Sequence, residues 1–291
     1  MNFEKHQKCL ITNAKDLYPL KGYEKDYLVK SKSSGFVFSS RIPTEEGLIA
    51  YYSNYPIGYN AESEITNIRI NEVLDEFEKF RNTNNMLDVG CGPGIFLVEA
   101  KKRGWNVYGT EYTDKQIEYL NDRDIKTFKG KLTNEAFEPD FFDVIISSEV
   151  IEHINNPVEE MQHFNRLLRK GGLVYITTPN FNSIERYLLK GDYEIIEYPN
   201  HLCYYTKSTI DLLLQQQGFK KWKLTTTGIS IARVKRSLKR KNKQSTDNVS
   251  TDEALRESLE VGYKKHIKTL VNFFLDVFGL GNSLKAWYIK K

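Results

Sequence analysis

Cysteine and long apolar runs are the two features that this 291-residue sequence lacks most clearly. Its three cysteines, Cys9, Cys91 and Cys203, are odd in number and widely spaced. This excludes a disulfide scaffold and indicates thiols kept reduced in a reducing compartment. No apolar stretch approaches the roughly 18 residues that a membrane-spanning helix needs. The first residues carry charge with no apolar segment behind it, so we expect no signal peptide and predict a cytoplasmic protein.

A general excess of positive charge is missing as well. The net charge is +4, from 42 Lys and Arg and 38 Asp and Glu. Seven basic residues fall within 233–243 with no acid among them, and without that run the net charge is negative. The body of the chain therefore lacks the basic field of a nucleic-acid-binding protein. The run could make a weak contact with an anionic surface, but it has no interleaved aromatic residue, which favours a solvated loop.

Short apolar runs alternate with helical segments through most of the chain. This alternation predicts an α/β fold, a doubly wound, Rossmann-like and mostly parallel sheet with helices on both faces. In such sheets, ligands bind beyond the carboxyl ends of the strands. The predicted strands are 86–89, 105–109, 125–128, 142–147, 173–178, 223–228 and 283–289.

Changes in composition divide the chain into four predicted regions. Residues 1–60 form an aromatic-rich N-terminal extension, and residues 61–232 form the α/β core. Residues 233–262 are highly charged and predict an exposed insertion, with a helix near 252–260. Residues 263–291 contain an amphipathic helix and the final strand, which completes the sheet.

A glycine-rich turn follows the first strand of the core. In Leu87–Gly94, glycine stands at positions 90, 92 and 94, where a backbone without Cβ atoms can turn tightly and approach a ligand. A dinucleotide fingerprint would place its third glycine at position 95, which is Ile95. Glu111 ends the second strand, where a carboxylate can accept both hydroxyls of a ribose. These features predict a site for an adenosine-containing ligand without a pyrophosphate.

Three blocks of the core together resemble the class I S-adenosylmethionine-dependent methyltransferases. They are Asp88–Gly94, Glu111, and Phe142–Ile145 followed by Glu149–His153. The resemblance covers about residues 45–228. It implies a seven-stranded sheet with an antiparallel last strand, S-adenosyl-L-methionine as cofactor, and methyl transfer as activity.

The same resemblance implies which residues contact the cofactor. The three glycines would line its methionine and ribose portion, Glu111 would hold the ribose hydroxyls, and Tyr112 would flank the adenine. In this family an Asp after the third strand often contacts the adenine N6 atom, whereas this sequence has Gly130–Leu132 there. The implied cofactor-binding residues are Asp88, Gly90, Gly92, Gly94, Glu111, Tyr112, Ser148 and Glu149.

The E-x-x-E-H motif at Glu149–His153 resembles that of the ubiquinone-pathway O-methyltransferases, where it is linked to a divalent metal or to base catalysis. His201 lies in a segment that resembles the acceptor-site segment of the same group. We expect Glu152, His153 and His201 to be catalytic, because a hydroxyl acceptor must lose its proton and imidazole titrates near neutrality. The structural alternative is that these side chains only hydrogen-bond neighbouring loops.

The helical pattern of this motif adds a geometric expectation. If it formed one helical turn, Glu149, Glu152 and His153 would share a face. Two carboxylates and one imidazole make a weak Mg²⁺ site, so we predict no bound metal.

The N-terminal extension resembles a pair of zinc knuckles that have lost their ligands. Cys9–Thr12 keeps one cysteine of a C-x-x-C pair, and Ser31–Ser34 has serines in place of both. Structural zinc sites require thiolate or imidazole ligands, which serine does not offer. We therefore predict no zinc in this segment.

These features favour a methyltransferase that transfers a methyl group to a hydroxyl of a small molecule or of a sugar or glycan precursor. The alternatives are a non-catalytic cofactor-binding or scaffold protein of the same fold, and an N-, C- or RNA methyltransferase. Nucleic acid is the least favoured partner, because the basic charge is confined to one run.

Overall fold

The computed structural model describes residues 3–53, 64–133, 136–230, 233–235, 237–238 and 263–291. In these ranges the strands are β1 (Phe3–Lys5), β2 (Leu17–Pro19), β3 (Leu28–Ser31), β4 (Val37–Ser39), β5 (Arg41–Pro43), β6 (Asn85–Val89), β7 (Asn106–Glu111), β8 (Lys126–Lys129), β9 (Phe142–Ser148), β10 (Leu168–Pro179), β11 (Cys203–Tyr204), β12 (Phe219–Thr227) and β13 (Ser283–Lys290). The α-helices are α1 (Glu45–Ser53), α2 (Glu64–Phe77), α3 (Ile95–Lys102), α4 (Asp114–Asn121), α5 (Pro157–Leu167), α6 (Ile184–Leu189), α7 (Lys207–Gln216) and α8 (Tyr263–Val277).

Seven of these strands form one sheet in the order β12-β13-β10-β9-β6-β7-β8. The pairs from β10 to β8 are parallel. Strand β13 runs antiparallel to both of its neighbours, β10 and β12. The fold class predicted from the sequence is therefore confirmed, including the antiparallel last strand.

The central strands β9 and β10 carry apolar side chains on both faces of the sheet. Ile145 and Val174 belong to one buried cluster, and Ile146 and Tyr175 belong to the other. A strand covered on both sides gives a continuous apolar run in the sequence. This is why the sequence predicts β9 to within one residue.

Long-range pairing explains two of the element boundaries that differ from the prediction. The helix predicted to reach Arg169 ends at Leu167, because Leu168 already pairs with Phe142 of β9. Strand β12 begins at Phe219 instead of residue 223, because Phe219 and the two lysines after it pair with β13. Local composition contains neither pairing partner, so neither boundary could be found from periodicity.

The N-terminal segment contains more regular structure than the sequence indicates. Strands β2, β3 and β4 form an antiparallel sheet whose fourth strand, β11, comes from the core between β10 and α7. Strand β1 pairs with β5. The extension is thus joined to the core by strand pairing.

Two sequence-based expectations concern residues outside this description. The helix predicted near 252–260 lies outside the described residues, as does most of the insertion 233–262. Among the helices that are described, none combines the length and the apolar character needed to cross a bilayer.

Candidate active site

A cavity of about 520 Å³ opens at the carboxyl ends of the parallel strands. Its wall includes Gly90 after β6, Glu111 at the end of β7, Glu149 after β9 and Pro179 at the end of β10. Four neighbouring strands therefore contribute to one edge, which is where ligands bind in sheets of this kind.

The glycine-rich turn brings the backbone close to the segment after β9. Gly90 has a φ of +65°, and a Cβ atom built there would lie 2.7 Å from Val150 Cγ2. The amide of Gly90 donates to Thr110 Oγ1 (3.2 Å), and the amide of Cys91 donates to the carbonyl of Thr110 (3.0 Å). These bonds fasten the turn to β7, and only glycine fits at position 90 without displacing Val150.

Glu111 links the end of β7 to the glycine-rich turn and to the start of α4. Its Oε2 accepts from the amide of Gly92 (2.9 Å). Its Oε1 accepts from the amides of Tyr112 (2.8 Å) and Thr113 (3.0 Å) and from the Thr113 hydroxyl (3.0 Å). The sequence predicts that Thr113 opens a capping box, but its hydroxyl is directed to Glu111 and makes no side-chain cap for α4.

Asp88 lies beneath this turn and is 4% exposed. Burial raises the pKa of its carboxyl, and the nearby Glu111 raises it further. Among the described residues, the lining of the cavity contains Gly90, Glu111, Tyr112 and Glu149, but not the other predicted cofactor residues. Those four, Asp88, Gly92, Gly94 and Ser148, remain predictions for a role in cofactor binding.

The segment after β9 is held by Thr177 of β10, a residue that the sequence did not single out. Thr177 Oγ1 lies 2.9 Å from Ser148 Oγ, and the Thr177 carbonyl accepts from the amide of Glu149 (2.9 Å). Glu149 has a φ of +55°, a left-handed conformation that is rare for a residue with a side chain. Burial raises the pKa of Glu149, and Arg233 and Lys285 partly oppose the rise.

The E-x-x-E-H motif does not form the single helical turn that would align all three side chains. A 3-10 helix spans Ile151–His153, and Glu149 precedes it in the left-handed conformation. The predicted shared face of Glu149, Glu152 and His153 is therefore wrong. The three side chains still line the cavity.

His153 and His201 come together at one side of the cavity, with ring centroids 4.8 Å apart. His153 Nδ1 donates to the carbonyl of Asn200 (2.7 Å), and His201 Nδ1 donates to the carbonyl of Ile195 (2.8 Å). A carbonyl can only accept, so both rings carry their proton on Nδ1 and leave Nε2 as an acceptor.

Burial lowers the pKa of both histidines. For His153 the bond to Asn200 partly opposes this effect. Burial and the neighbouring His153 lower the pKa of His201 to about 3. Both rings are therefore neutral at physiological pH.

Glu152 completes this cluster from the buried side. It is 2% exposed, and its Oε2 accepts from the hydroxyl of Thr178 (2.9 Å). Burial and the neighbouring Glu149 raise its pKa well above 4.5. Ligand atoms of Glu152, His153 and His201 lie within 4.8 Å of one another. These three could hold a metal ion, since each imidazole offers Nε2 while Nδ1 is fixed by a carbonyl.

Several residues of the cavity wall were not assigned to the site from the sequence. His163, which the sequence analysis does not single out, is 9% exposed and lines the cavity. Arg233 belongs to the basic run that was expected to be solvated, yet it lines the cavity and pairs with Glu194 (3.1 Å). Lys131 and Glu160 also line it. No local pattern distinguishes them, because their neighbours in space are distant in sequence.

The two degenerate knuckles of the N-terminal segment meet in space. Cys9 Sγ lies 3.4 Å from Ser34 Oγ, and Ser31 Oγ lies 3.3 Å from Ser33 Oγ. The amide of Ser34 donates to Ser31 Oγ (3.3 Å). The contact between Cys9 and Ser34 thus joins the two loops, and the other two hydrogen bonds lie within the second loop.

Comparisons with known proteins agree on one kind of enzyme. Residues 64–224 match the family model of a methyltransferase domain. The ubiquinone biosynthesis O-methyltransferase of Nitrosomonas europaea is 29% identical over 166 residues, covering 50% of this chain and 70% of that relative. Its namesake from Rickettsia bellii is 32% identical over 124 residues, covering 40% of this chain and 52% of the relative. The chain therefore spans only part of each relative.

Solved structures share the same fold. A SAM-dependent methyltransferase from Archaeoglobus fulgidus has a TM-score of 0.54 at 17% identity, covering 78% of this chain and 94% of that one. Phosphoethanolamine N-methyltransferase 2 from Haemonchus contortus, solved with S-adenosyl-L-methionine, has a TM-score of 0.51 at 18% identity, covering 85% of this chain and 57% of that one. At these identities the likeness establishes the fold alone.

Proposed function

Because the chain belongs to the methyltransferase domain family, we propose that it uses S-adenosyl-L-methionine to methylate a hydroxyl group on a small molecule or on a sugar or glycan precursor. The relatives in Nitrosomonas europaea and Rickettsia bellii are both named as O-methyltransferases, which supports oxygen as the acceptor atom. The observation that carries the proposal is the pair of histidines at the edge of the cavity, each with its Nδ1 bonded to a backbone carbonyl, which leaves Nε2 as the acceptor.

The residues around the cavity fit this cofactor. Gly90 and Glu111 line it side by side, and Tyr112 follows directly, so a ribose next to Glu111 would lie between the glycine-rich turn and an aromatic ring. The cofactor supplies a methyl group that is already activated on a positively charged sulfur. The protein therefore needs chiefly to position the acceptor and to remove its proton.

We assign the removal of the proton to His153. Its Nε2 takes the proton of the acceptor hydroxyl, while the carbonyl of Asn200 holds the ring through Nδ1. His201 is the poorer base, because its pKa of about 3 leaves little affinity for a proton. His201 acts as a positioning residue whose ring packs edge-on against His153 at an interplanar angle of 78°. Glu152 Oε1, 3.9 Å from His153 Nε2, faces the base from the buried side.

We also place the protein in the cytoplasm. Its three cysteines are free and buried, as expected in a reducing compartment. The acceptor is a small molecule rather than a nucleic acid, because the net charge of the chain without the basic run 233–243 is negative.

Substitution of His153 tests the assignment. We expect His153→Gln to lower kcat by roughly a hundredfold or more, the usual contribution of a general base. The affinity for S-adenosylmethionine should stay within a few-fold of the parent. Turnover is measured as release of S-adenosylhomocysteine with a panel of catechols, nucleotide sugars and simple alcohols, and affinity is measured by isothermal titration calorimetry.

The pH profile of the parent gives a second readout. The lowered pKa of His153 means that its acid limb lies below pH 6.5, since protonation removes the base only there. His6→Gln is the matched control. His6 lies far from the motif in the sequence and contacts Glu4, so this variant should keep the parent's kcat. Full turnover by His153→Gln would disprove the base, and failure of the parent to bind S-adenosylmethionine would disprove the proposed function itself.

A further inference from the structure

The wall of the cavity contains a buried carboxylate that the chemistry above does not use. Glu160, on α5, is 8% exposed and lines the cavity together with Lys131 and Leu132. Among the described residues, no hydrogen-bond donor reaches its carboxylate. A buried charged group without a partner is costly, so this side chain is poised for a donor from a ligand.

The order of the strands shows which part of the cofactor would lie beside Glu160. The histidines belong to the segments after β9 and β10, Glu111 ends β7, and Lys131 and Leu132 follow β8 at the edge of the sheet. With a ribose at Glu111 and the methyl group toward the histidines, the nucleobase points toward β8. Glu160 is held on that side, because His163 Nδ1, one turn further along α5, donates to the carbonyl of Leu132 (3.1 Å).

The three residues that follow β8 directly offer no acid for the base. Gly130–Leu132 follows the strand directly and contains a lysine but no carboxylate. The exocyclic amino group of adenine is a pure donor at neutral pH, and a carboxylate is a pure acceptor. Glu160 therefore offers, from α5, an acceptor that Gly130–Leu132 does not contain.

We propose that Glu160 accepts a hydrogen bond from the N6 amino group of the cofactor's adenine and makes that group necessary for tight binding. The inference rests on the proposed use of S-adenosylmethionine and adds a specificity-determining residue to that site. Its physical basis is that a base without the amino group would leave Glu160 buried and unpaired.

The energetic state of Glu160 agrees with this role. Burial raises its pKa to about 7, which Lys131 partly opposes and Glu159 reinforces. Near neutral pH the carboxyl is thus balanced between its charged and neutral forms. A donor at N6 would favour the charged form, since a hydrogen bond to the charged form lowers the pKa.

A thermodynamic cycle, in which two ligands are each titrated into two proteins, tests the contact between Glu160 and the N6 amino group. The ligands are S-adenosylhomocysteine and its analogue with unsubstituted purine in place of adenine, which lacks only the amino group. At pH 8 we expect the parent to bind S-adenosylhomocysteine roughly tenfold or more tightly than the analogue, as for a hydrogen bond to a charged group. Glu160→Leu should bind both ligands within about twofold of each other, because it has no acceptor left to satisfy.

A neighbouring acid provides the matched control. Glu159 is adjacent on α5, but its carboxylate already accepts from Asn156 Nδ2 (2.8 Å). Glu159→Gln should therefore keep the parent's preference for the amino group. Glu160→Gln retains an acceptor oxygen and should keep part of the preference for the amino group. It provides a second variant in case the leucine variant does not fold.

The outcomes separate the inference from the proposed function. Equal binding of the two ligands by the parent, or an unchanged preference in Glu160→Leu, would overturn the role of Glu160 while leaving the cofactor site intact. If the parent bound neither ligand, the proposed function and this inference would both be wrong.

Discussion

At the scale of single residues, the side chain of Glu111 at the cavity edge already accepts hydrogen bonds from neighbouring residues. The carboxylate of Glu111 accepts four hydrogen bonds, from Gly92, Tyr112 and twice from Thr113. Three of these bonds fall on Oε1 and one on Oε2, so a ribose diol that uses both oxygens would compete with the present donors mainly at Oε1. The Thr113 hydroxyl is the simplest to release, since it can rotate away without any change in the main chain.

Gly90 is the residue whose replacement should be least tolerated at this edge. In Gly90→Ala the new Cβ would meet Val150 Cγ2 at 2.7 Å, in a backbone conformation with φ of +65°. We expect at least tenfold weaker binding of S-adenosylhomocysteine and a loss of stability above the roughly 1–2 kcal/mol of a left-handed alanine. Calorimetric titration and urea denaturation measure the two effects.

Gly22→Ala is the matched control for that substitution. Gly22 has a φ of +89° with no atom within 4 Å of a built Cβ, so only the backbone strain remains. It should lose roughly 1–2 kcal/mol and no ligand affinity. Restoration of binding in the double variant Gly90→Ala, Val150→Ala would identify the contact with Val150 as the cause.

Between elements, Asp143 fastens the start of β9 to the turn that precedes β6. Its Oδ2 accepts from the amides of Asn82 (2.7 Å), Thr83 (2.7 Å) and Asn84 (2.8 Å). Its Oδ1 accepts from Arg169 at the start of β10. The side chain is fully buried, and it therefore joins three neighbouring strands at the end of the sheet opposite the cavity.

Loss of this carboxylate should affect stability rather than chemistry. We expect Asp143→Asn to lower the free energy of unfolding by about 2–5 kcal/mol, since the Arg169 guanidinium loses its buried partner and the amides lose a charged acceptor. Urea denaturation measures the change. Asp140→Asn, at an exposed acid paired with Lys290 (2.7 Å), should change stability by less than about 1 kcal/mol. Equal effects of the two variants would contradict this role.

The sequence predicted those elements that are determined by the residues within them. The glycine-rich turn and β9 follow from residue type and apolar continuity, and the N-cap Asn156 with Pro157 marks the start of α5. Strand β11 is two residues long and exists only because β4 lies beside it. Glu160 and Arg233 enter the cavity through contacts made by the whole fold. The sequence therefore predicted the scaffold and the residues at strand ends, but not the side chains that helices and loops bring to them.

At the scale of the whole molecule, the N-terminal sheet supports the segment that carries His201. Strand β11 pairs with β4, and the amide of Ser39 donates to the carbonyl of Leu202 (2.8 Å). The amide of Leu202 in turn donates to the carbonyl of Glu152 (2.8 Å). The N-terminal extension is thus linked, through the backbone of Leu202, to Glu152 of the proposed catalytic cluster.

Removal of one amide in β4 tests this support. Ser39→Pro eliminates the donor to Leu202, and we expect kcat to fall by roughly tenfold or more, because small displacements of catalytic groups have large effects on rate. The affinity for S-adenosylhomocysteine should change by less than about threefold, since β6 and β7 are untouched. Steady-state kinetics and calorimetry provide the two numbers. Ser39→Ala, which keeps the amide, is the control, and a kcat equal in both variants would exclude the coupling.

The position of Leu202 between two partners gives it one more property. Its side chain is fully buried, and its amide proton can exchange with solvent deuterium only when the contact with Glu152 opens. The exchange rate at this one position therefore records how often the backbone of Leu202 separates from that of Glu152. A residue without any proposed chemical role thus reports on motion next to the proposed base.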